Sequence, residues 1–376
     1  MHISSQFDSG NIRVVRAEQC DDIVLAINKD NQSDFYQWFH FRLSGEVNQL
    51  HRIAITELAA SAYPKGWAGY NVLASYDRQN WFRVDSEFDG ESLTFSLALE
   101  QSQVYFAYFV PYSYERHLDL LADSQSSPLC RLAHLGETLD GRDMSMLVIG
   151  EPAEGKRNVW ITARQHPGES MAEWCAEGII GRLLDEQDGI ARSLLEQAVF
   201  YIVPNMNPDG SVRGHLRTNA VGANLNREWQ TPTLERSPEV FYVLNAMREA
   251  GVDMYLDLHG DEALPYNFVA GSEGIPAYSE HLKSLEEQFK SALLFATPEF
   301  QDEHGYAKDA PGEADLTIAS NAVGQAFECL AYTVEMPFKD NNNLPDPLFG
   351  WSAQRCQQFG EDILVATHAV VASLRT

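Results

Sequence analysis

The pattern of apolar residues changes near residue 115, and this change constrains the fold more than any other feature of the chain. Before it, short apolar segments follow one another closely, separated by polar turns such as "YDRQN" and "DGES". Closely spaced short strands are typical of an all-β sandwich. After "PYSYERHLDLLADSQSSP", strand-like segments alternate with helix-like ones, which favours an α/β domain with a mixed sheet. Because 376 residues suffice for two domains, we predict a β-sandwich over residues 1–115 and an α/β domain over residues 116–376.

Local patterns place several elements within these regions. In "FYQWFHFRL", the alternation predicts a strand with Phe35, Phe39, Phe41 and Leu43 on one face and Trp38, His40 and Arg42 on the other. Ser170 and Glu173 have the spacing of a capping box at the start of a helix. Further strands are predicted at "NVWITA", "AVFYIVP", "DMYLDL", "YNFVAG" and "AYTVEM".

The charge balance limits the possible partners. The chain has 27 Lys plus Arg against 54 Asp plus Glu, a formal net charge of −27. A surface of this kind repels phosphate backbones and anionic membranes, so we expect neither nucleic acid nor a membrane as partner. Charge alone does not identify a substrate.

The N-terminal segment and the cysteines bear on the cellular compartment of the protein. "MHISSQFDSGN" lacks the basic and apolar regions of a signal peptide, and no stretch of about 18 apolar residues occurs. The five cysteines are scattered and form no C-x-x-C pair, which does not favour a disulfide framework. We therefore expect a cytoplasmic protein.

The segment "RQHPGES" contains a candidate metal site. His166 and Glu169 are separated by Pro167 and Gly168, which favour a shaped turn between a strand and the following helix. Imidazole and carboxylate are the ligand types of catalytic Zn²⁺ sites, which commonly use two histidines and one glutamate. A lone H-x-x-E pair is common by chance, however, and Glu169 alone would suit a helix N-terminus.

A third ligand is predicted at the end of another strand. "DMYLDLHGDE" alternates apolar and polar residues and ends with His259. In open α/β sheets, ligands bind beside the carboxyl ends of the strands, where both "WITARQH" and "YLDLH" would deliver a histidine. Taken singly, His259 would more often be a hydrogen-bonded histidine at a strand end than a ligand. The combination with "HPGE" favours a metal site.

Two arginines lie between these motifs, in the turn-rich stretch "PNMNPDGSVRGHLRTNAVGANLNREW". Arg217 and Arg227 are ten residues apart in an otherwise acidic chain. Guanidinium groups bind carboxylates through paired hydrogen bonds, so two of them near a metal would suit a substrate that carries a carboxylate. The alternative is a pair of surface arginines in ordinary salt bridges.

Together, "HPGE", the later His-Gly-Asp-Glu, "RTNAVGANLNREW" and "AYTVEMPF" resemble the M14 zinc metallocarboxypeptidases, specifically the cytosolic carboxypeptidase subfamily. "FDSGN", "WFHFRL" and "AYFVPYSYERH" resemble the β-sandwich that precedes the peptidase domain in that subfamily, so the similarity covers nearly the whole chain. The resemblance implies a mixed-sheet, phosphorylase/hydrolase-like peptidase domain and one Zn²⁺ per chain.

The resemblance also implies a role for each matching residue. The implied zinc ligands are His166, Glu169 and His259, and the implied general base is Glu335, in the largely apolar "LAYTVEMPF". Arg217 would polarise the scissile carbonyl and stabilise the oxyanion. The substrate's terminal carboxylate would be held by two residues, Asn226 and Arg227.

Two positions differ from the family pattern or match it weakly. Asn224 stands where the family usually has an aspartate that orients a zinc-bound histidine, so the orienting hydrogen bond would lack a negative charge. Tyr306, in "EHGYAKDAPGEAD", is assigned as the family's mobile, substrate-binding tyrosine from its loop context alone.

The function predicted from these residues is zinc-dependent hydrolysis of the C-terminal peptide bond of a peptide or protein, with glutamate release among the activities that the resemblance implies. A basic side chain such as Lys308 or Lys339 in the specificity pocket would favour an acidic terminal residue. One alternative is a zinc amidohydrolase of small N-acyl amino acids, which gives the β-sandwich no role. Another is a non-catalytic peptide-binding protein, for which Asn224 is the main support.

Overall fold

The computed structural model describes residues 1–375. Its strands are β1 (His2–Ser4), β2 (Arg13–Gln19), β3 (Asp22–Ala26), β4 (His40–Ser44), β5 (Leu50–Thr56), β6 (Val72–Ser75), β7 (Phe82–Val84), β8 (Ser86–Phe88), β9 (Leu93–Ala98), β10 (Gln103–Ala107), β11 (Cys130–Glu137), β12 (Asp143–Ile149), β13 (Arg157–Ala163), β14 (Ala198–Val203), β15 (Met254–Asp261), β16 (Phe268–Ala270) and β17 (Leu330–Pro337). The α-helices are α1 (Tyr114–Ser124), α2 (Ser170–Leu183), α3 (Gly189–Gln197), α4 (Pro208–Arg213), α5 (Pro238–Ala250), α6 (Glu280–Ala296), α7 (Ala319–Phe327) and α8 (Ala353–Val370).

Two five-stranded sheets form the N-terminal part of the chain. Their strand orders are β1-β4-β10-β6-β7 and β2-β3-β5-β9-β8, and the neighbouring strands are antiparallel except for the parallel pair β3 and β5. Inward aromatic rings meet between the sheets, with Phe106 of the first 5.2 Å from Phe95 of the second. This architecture is the β-sandwich that the spacing of the apolar segments predicts.

The prediction of one long strand at "FYQWFHFRL" was wrong in its extent. The strand begins only at His40, and both Trp38 and His40, predicted on the opposite face to the phenylalanines, are buried. Their face is covered because Phe7 and Trp81 pack against the His40 ring, with centroids 4.9 and 6.0 Å away.

A seven-stranded mixed sheet organises the rest of the chain, in the order β11-β12-β14-β13-β15-β17-β16. The central strands β14, β13, β15 and β17 are parallel, and the strands outside them are antiparallel. Side chains of one face pack with α2 and α8, and those of the other face pack with α5. Because both faces are covered, the central strands are nearly continuously apolar rather than strictly alternating.

The predicted capping box was wrong. The Ser170 hydroxyl donates to the Val110 carbonyl at 2.8 Å instead of accepting from the helix. The Glu173 carboxylate is fully buried, where it accepts from Arg164 at 2.8 Å and contacts His117 Nδ1 at 2.7 Å. Tertiary partners therefore take both side chains, although α2 does begin at Ser170.

The last strand of the sandwich ends at Ala107, and α1 begins at Tyr114. The boundary at residue 115 stays a prediction. None of the helices within residues 1–375 is both long enough and apolar enough to cross a membrane.

Candidate active site

The candidate site lies where the central parallel strands end. His259, near the end of β15, is the direct register partner of Glu335, near the end of β17. The neighbouring strand β13 ends at Ala163, three residues before His166. Because carboxyl ends of parallel strands share one edge of the sheet, these three side chains reach the same crevice.

The predicted metal ligands are close together. Nδ1 of His166 lies 2.7 Å from Oε1 of Glu169, and Nδ1 of His259 lies 2.7 Å from Oε2 of the same carboxylate. One ligand atom from each residue falls within 4.8 Å of the others, and all three side chains are buried. Two imidazole nitrogens and one carboxylate fit the donor set of a catalytic zinc site.

The turn that presents His166 and Glu169 is held from both sides. Arg164 is a fully buried residue with a positive φ of 58°, and its Nε donates to the Pro167 carbonyl at 2.9 Å. The Gly168 amide donates to the Leu216 carbonyl at 2.9 Å. A Cβ at Gly168 would lie 3.0 Å from that carbonyl oxygen, so glycine permits the close approach.

Each histidine has a polar partner on its second ring nitrogen. Nε2 of His166 lies 3.0 Å from Oδ1 of Asn224, and Nε2 of His259 lies 2.8 Å from Oδ2 of Asp257. Asp257 is held in turn by the Thr162 hydroxyl at 2.7 Å. Such contacts fix the ring orientation, and an imidazole that donates from Nε2 offers its Nδ1 lone pair to a cation between the rings and the shared carboxylate.

The electrostatics of the three groups also suit a cation. Burial, and then the Arg217 cation, lower the pKa of His166 to about 4, which favours the neutral imidazole that binds metals. Burial opposes ionisation of Glu169, but the two histidines hold the pKa of its carboxyl well below the usual range. Burial likewise disfavours the charged form of His259, but Asp257 and Glu169 raise its pKa above the ordinary value. The cluster thus concentrates negative charge around the His259 ring.

Glu335 lies beside this cluster. Its Oε1 accepts from the Tyr306 hydroxyl at 3.1 Å, while Oε2 is buried and has no hydrogen-bond partner in the described residues. The Tyr306 hydroxyl also donates to Asp261 at 2.7 Å. Burial raises the pKa of Glu335 well above its ordinary value, and the nearby His259 opposes that rise. A buried carboxylate with one free oxygen can accept a proton from a molecule in the crevice.

The predicted substrate-binding residues line the same cavity, which has a volume of about 680 Å³. Asn226 lies within the short 3-10 helical turn Leu225–Arg227, and its Oδ1 accepts from the Ala319 amide at 2.8 Å. Arg227 donates to the Asn226 carbonyl at 2.5 Å, and partial burial followed by the nearby Arg217 cation lowers its pKa. Arg217 is half-buried at the cavity wall.

Sequence reasoning missed other residues of this cavity. Asp261 and Glu262 line it, although they belong to the same His-Gly-Asp-Glu motif that led to His259. Tyr63 reaches it from the N-terminal sandwich, more than 100 residues before the first predicted ligand. No motif in the sequence connects Tyr63 with the site.

Comparisons with known proteins give matches to both parts of the chain. The profile of the family described as the cytosolic carboxypeptidase N-terminal domain matches residues 3–109, and that described as zinc carboxypeptidase matches residues 114–349. A metallo-carboxypeptidase structure from Burkholderia cenocepacia is 48% identical, covers 99% of each chain and superposes with a TM-score of 0.97. A metallo-carboxypeptidase from Pseudomonas aeruginosa is 46% identical over 100% of each chain, also with a TM-score of 0.97.

A relative that is named a cytosolic carboxypeptidase has a lower sequence identity. Cytosolic carboxypeptidase 6 of Caenorhabditis elegans is 27% identical over 361 residues, which cover 89% of this chain and 78% of the relative.

Proposed function

Because the chain belongs to the M14 zinc carboxypeptidase family and is a metallocarboxypeptidase that acts on peptides, we propose that it removes single residues from free C-termini with the help of one bound Zn²⁺. The zinc would be held by Nδ1 of His166, a carboxylate oxygen of Glu169 and Nδ1 of His259. The close approach of these donor atoms supports the assignment. When bound, zinc lowers the pKa of a coordinated water and polarises a carbonyl.

Glu335 is proposed as the general base. Its buried, unpartnered Oε2 would accept the proton of the attacking water and then pass it to the leaving amine. Tyr306 is proposed to contact the substrate, and its hydroxyl holds the other carboxylate oxygen of Glu335 at 3.1 Å. That bond occupies one carboxylate oxygen and leaves Oε2 free to accept a proton.

Arg217 and Arg227 are proposed to recognise groups on the two sides of the scissile bond: the carbonyl of the penultimate residue and the terminal carboxylate of the last residue. Arg217 would donate to the carbonyl oxygen as its negative charge develops. Arg227, with the Asn226 amide, would bind the terminal carboxylate through charge-assisted hydrogen bonds. A relative that is 46% identical, the Pseudomonas aeruginosa enzyme, was crystallised with (2-guanidinoethylmercapto)succinic acid, a dicarboxylic acid, which supports carboxylate recognition here.

The observation that carries the exopeptidase proposal is the shared cavity: two arginines line the same pocket as the histidine and glutamate cluster. The test compares one peptide with a free C-terminal carboxylate and the same peptide with a C-terminal amide. We expect the amide to lose cleavage by at least about 100-fold, because a charge-assisted contact worth several kcal/mol is lost. Equal cleavage of both peptides would indicate an endopeptidase.

Glutamate release is the finer form of this proposal, and two lysines support it. Lys290 and Lys308 line the cavity and supply positive charge for an acidic terminal side chain. Each is already paired with a carboxylate, Lys290 with Asp302 at 3.1 Å and Lys308 with Glu273 at 2.6 Å. Lys339 instead donates to the Ala68 carbonyl at 2.8 Å.

Peptides that differ only in their last residue test this preference. Faster release of glutamate than of leucine or lysine supports the proposal. A preference for lysine would mean that the acidic partners, rather than the two lysines, determine the specificity. The N-acyl amino acid alternative is tested in the same assay by replacing the peptide with an acyl-amino acid.

A further inference from the structure

We propose that the N-terminal sandwich is part of the catalytic apparatus, because three of its residues position Arg217. Asp30 fixes the backbone of the segment that carries Arg217, and Phe35 and Tyr63 hold the guanidinium at the cavity wall. This inference rests on the proposed role of Arg217. The three sandwich residues are positioning residues, since they act through that side chain.

The Asp30 carboxylate binds the backbone on both sides of Arg217. Oδ1 accepts from the Leu216 amide at 2.7 Å, and Oδ2 accepts from the Arg217 amide at 2.8 Å and the Thr218 amide at 2.9 Å. The Thr218 hydroxyl donates to the same Oδ2 at 3.1 Å. Asp30 is only 3% exposed, so water competes little for these bonds. Three consecutive amides bound to one buried carboxylate restrain the backbone of the segment.

Neighbouring contacts between the sandwich and this segment act in the same direction. The Asn31 amide donates to Nε2 of His215 at 3.1 Å, and the Asn31 side chain donates to the Ala220 carbonyl at 2.7 Å. The Asn11 side chain donates to the Gly214 carbonyl at 2.9 Å. The segment is therefore attached to the sandwich before, at and after Arg217.

The guanidinium of Arg217 is held by ring faces rather than by acceptors. Its central carbon lies 5.5 Å from the ring centroids of both Phe35 and Tyr63. In the described part of the chain, no side-chain or backbone oxygen accepts a hydrogen bond from this guanidinium. A cation held against aromatic faces keeps its in-plane N–H donors free. Those donors are available for a substrate carbonyl in the cavity that Arg217 lines.

Tyr63 is itself fixed within the sandwich. Its backbone amide donates to Oε1 of Gln37 at 2.8 Å, and the Gln37 side chain donates back to the Tyr63 carbonyl at 3.1 Å. Gln37 is fully buried. The ring against Arg217 thus belongs to a rigid part of the sandwich.

A double-mutant cycle tests the proposal on the full-length, zinc-loaded chain. Asp30→Asn is made with Arg217 present and again in an Arg217→Met background, and kcat, KM and bound zinc are measured for each. We expect Asp30→Asn to lower kcat at least about tenfold when Arg217 is present, because a small displacement of a positioned group is costly. In the Arg217→Met background, Asp30→Asn should change kcat less than about twofold. In both backgrounds, Asp30→Asn should leave KM and the zinc content unchanged.

Asp89→Asn is the matched control. Asp89 is another sandwich carboxylate that accepts from two backbone amides, those of Glu91 at 2.9 Å and Ser92 at 2.7 Å, within an exposed turn. Its substitution should leave kcat unchanged. An equal loss of kcat from Asp30→Asn in both backgrounds would indicate a general structural role and overturn the proposal.

Phe35→Leu keeps the test usable should Asp30→Asn fail to fold. This substitution removes one aromatic face and leaves the Asp30 contacts intact. We expect a roughly two- to fivefold loss of kcat, which corresponds to the free energy of one cation–π contact. The loss should occur only when Arg217 is present. The same loss without Arg217 would overturn the proposal. An unchanged kcat in Arg217→Met alone would instead show that Arg217 has no catalytic role. That result would refute the proposed function of Arg217 rather than the positioning by the sandwich.

Discussion

Replacing Asn224 by aspartate should tighten zinc binding. Oδ1 of Asn224 lies 3.0 Å from Nε2 of His166 and also accepts from the Asn226 amide at 3.1 Å. An aspartate oxygen can make both contacts in the same place. The Asn224 side-chain nitrogen donates no hydrogen bond within residues 1–375, so nothing is lost when it becomes oxygen.

The magnitude follows from the change of acceptor. A neutral hydrogen bond contributes about 1 kcal/mol and one to a charged group about 1.5 to 3 kcal/mol. The substitution should therefore favour the metal-bound form of His166 by about 0.5 to 2 kcal/mol. At about 1.4 kcal/mol for each factor of ten, zinc affinity should rise about 2- to 30-fold. Asn224→Ala, which removes the acceptor, should weaken zinc binding about 10-fold or more.

Competition with a chromogenic zinc chelator at fixed pH measures both variants against the unmodified protein. Zinc affinity should be highest in Asn224→Asp, intermediate in the unmodified protein and lowest in Asn224→Ala. Equal zinc dissociation constants for all three would show that the contact seen between Asn224 and His166 does not orient a metal ligand.

Three further predictions concern the base, the metal and the pH dependence of stability. Glu335→Gln should keep zinc but lower kcat by about 10²- to 10⁴-fold, and substantial residual hydrolysis would remove the assignment as base. A chelator should abolish peptide hydrolysis and added Zn²⁺ should restore it; activity in metal-free protein would contradict the proposal. Burial raises the pKa of Glu239 to about 8, above its ordinary value near 4.5. The folded protein therefore keeps this proton at pH values where the unfolded chain has lost it. The stability that the protonated form contributes is complete below about pH 4.5 and is lost as the pH rises to about 8. Urea unfolding of Glu239→Gln should lack this part of the fall, and an unchanged pH slope would refute the burial argument.

The general fold was predictable because periodicity reports which faces are covered. Short, closely spaced apolar segments led to the sandwich, and the strand and helix alternation led to the mixed sheet. Strand β11 was not predicted, since it has no fully buried residue and lacks a strong apolar pattern. Strand β12 was also missed, although its second half is buried and apolar. Ser170 and Glu173 match a local capping signal, but Val110 and Arg164 are better partners in the folded chain.

The site was predictable only where short motifs encode it. "HPGE" and the end of β15 supplied His166, Glu169 and His259, which the structure brings within 4.8 Å of one another, although their roles as ligands stay predictions. The contacts of Asp30 with the Arg217 segment join residues 186 to 188 positions apart. An aspartate in a turn carries no local mark of such a partner, so only the folded structure reveals it.

The metal site itself is tested most directly by anomalous diffraction at the zinc edge from crystals of the zinc-loaded protein. We expect a single strong peak at about 2.0 to 2.2 Å from Nδ1 of His166, Nδ1 of His259 and a carboxylate oxygen of Glu169. A strongest peak elsewhere, or one bound without His259, would contradict it.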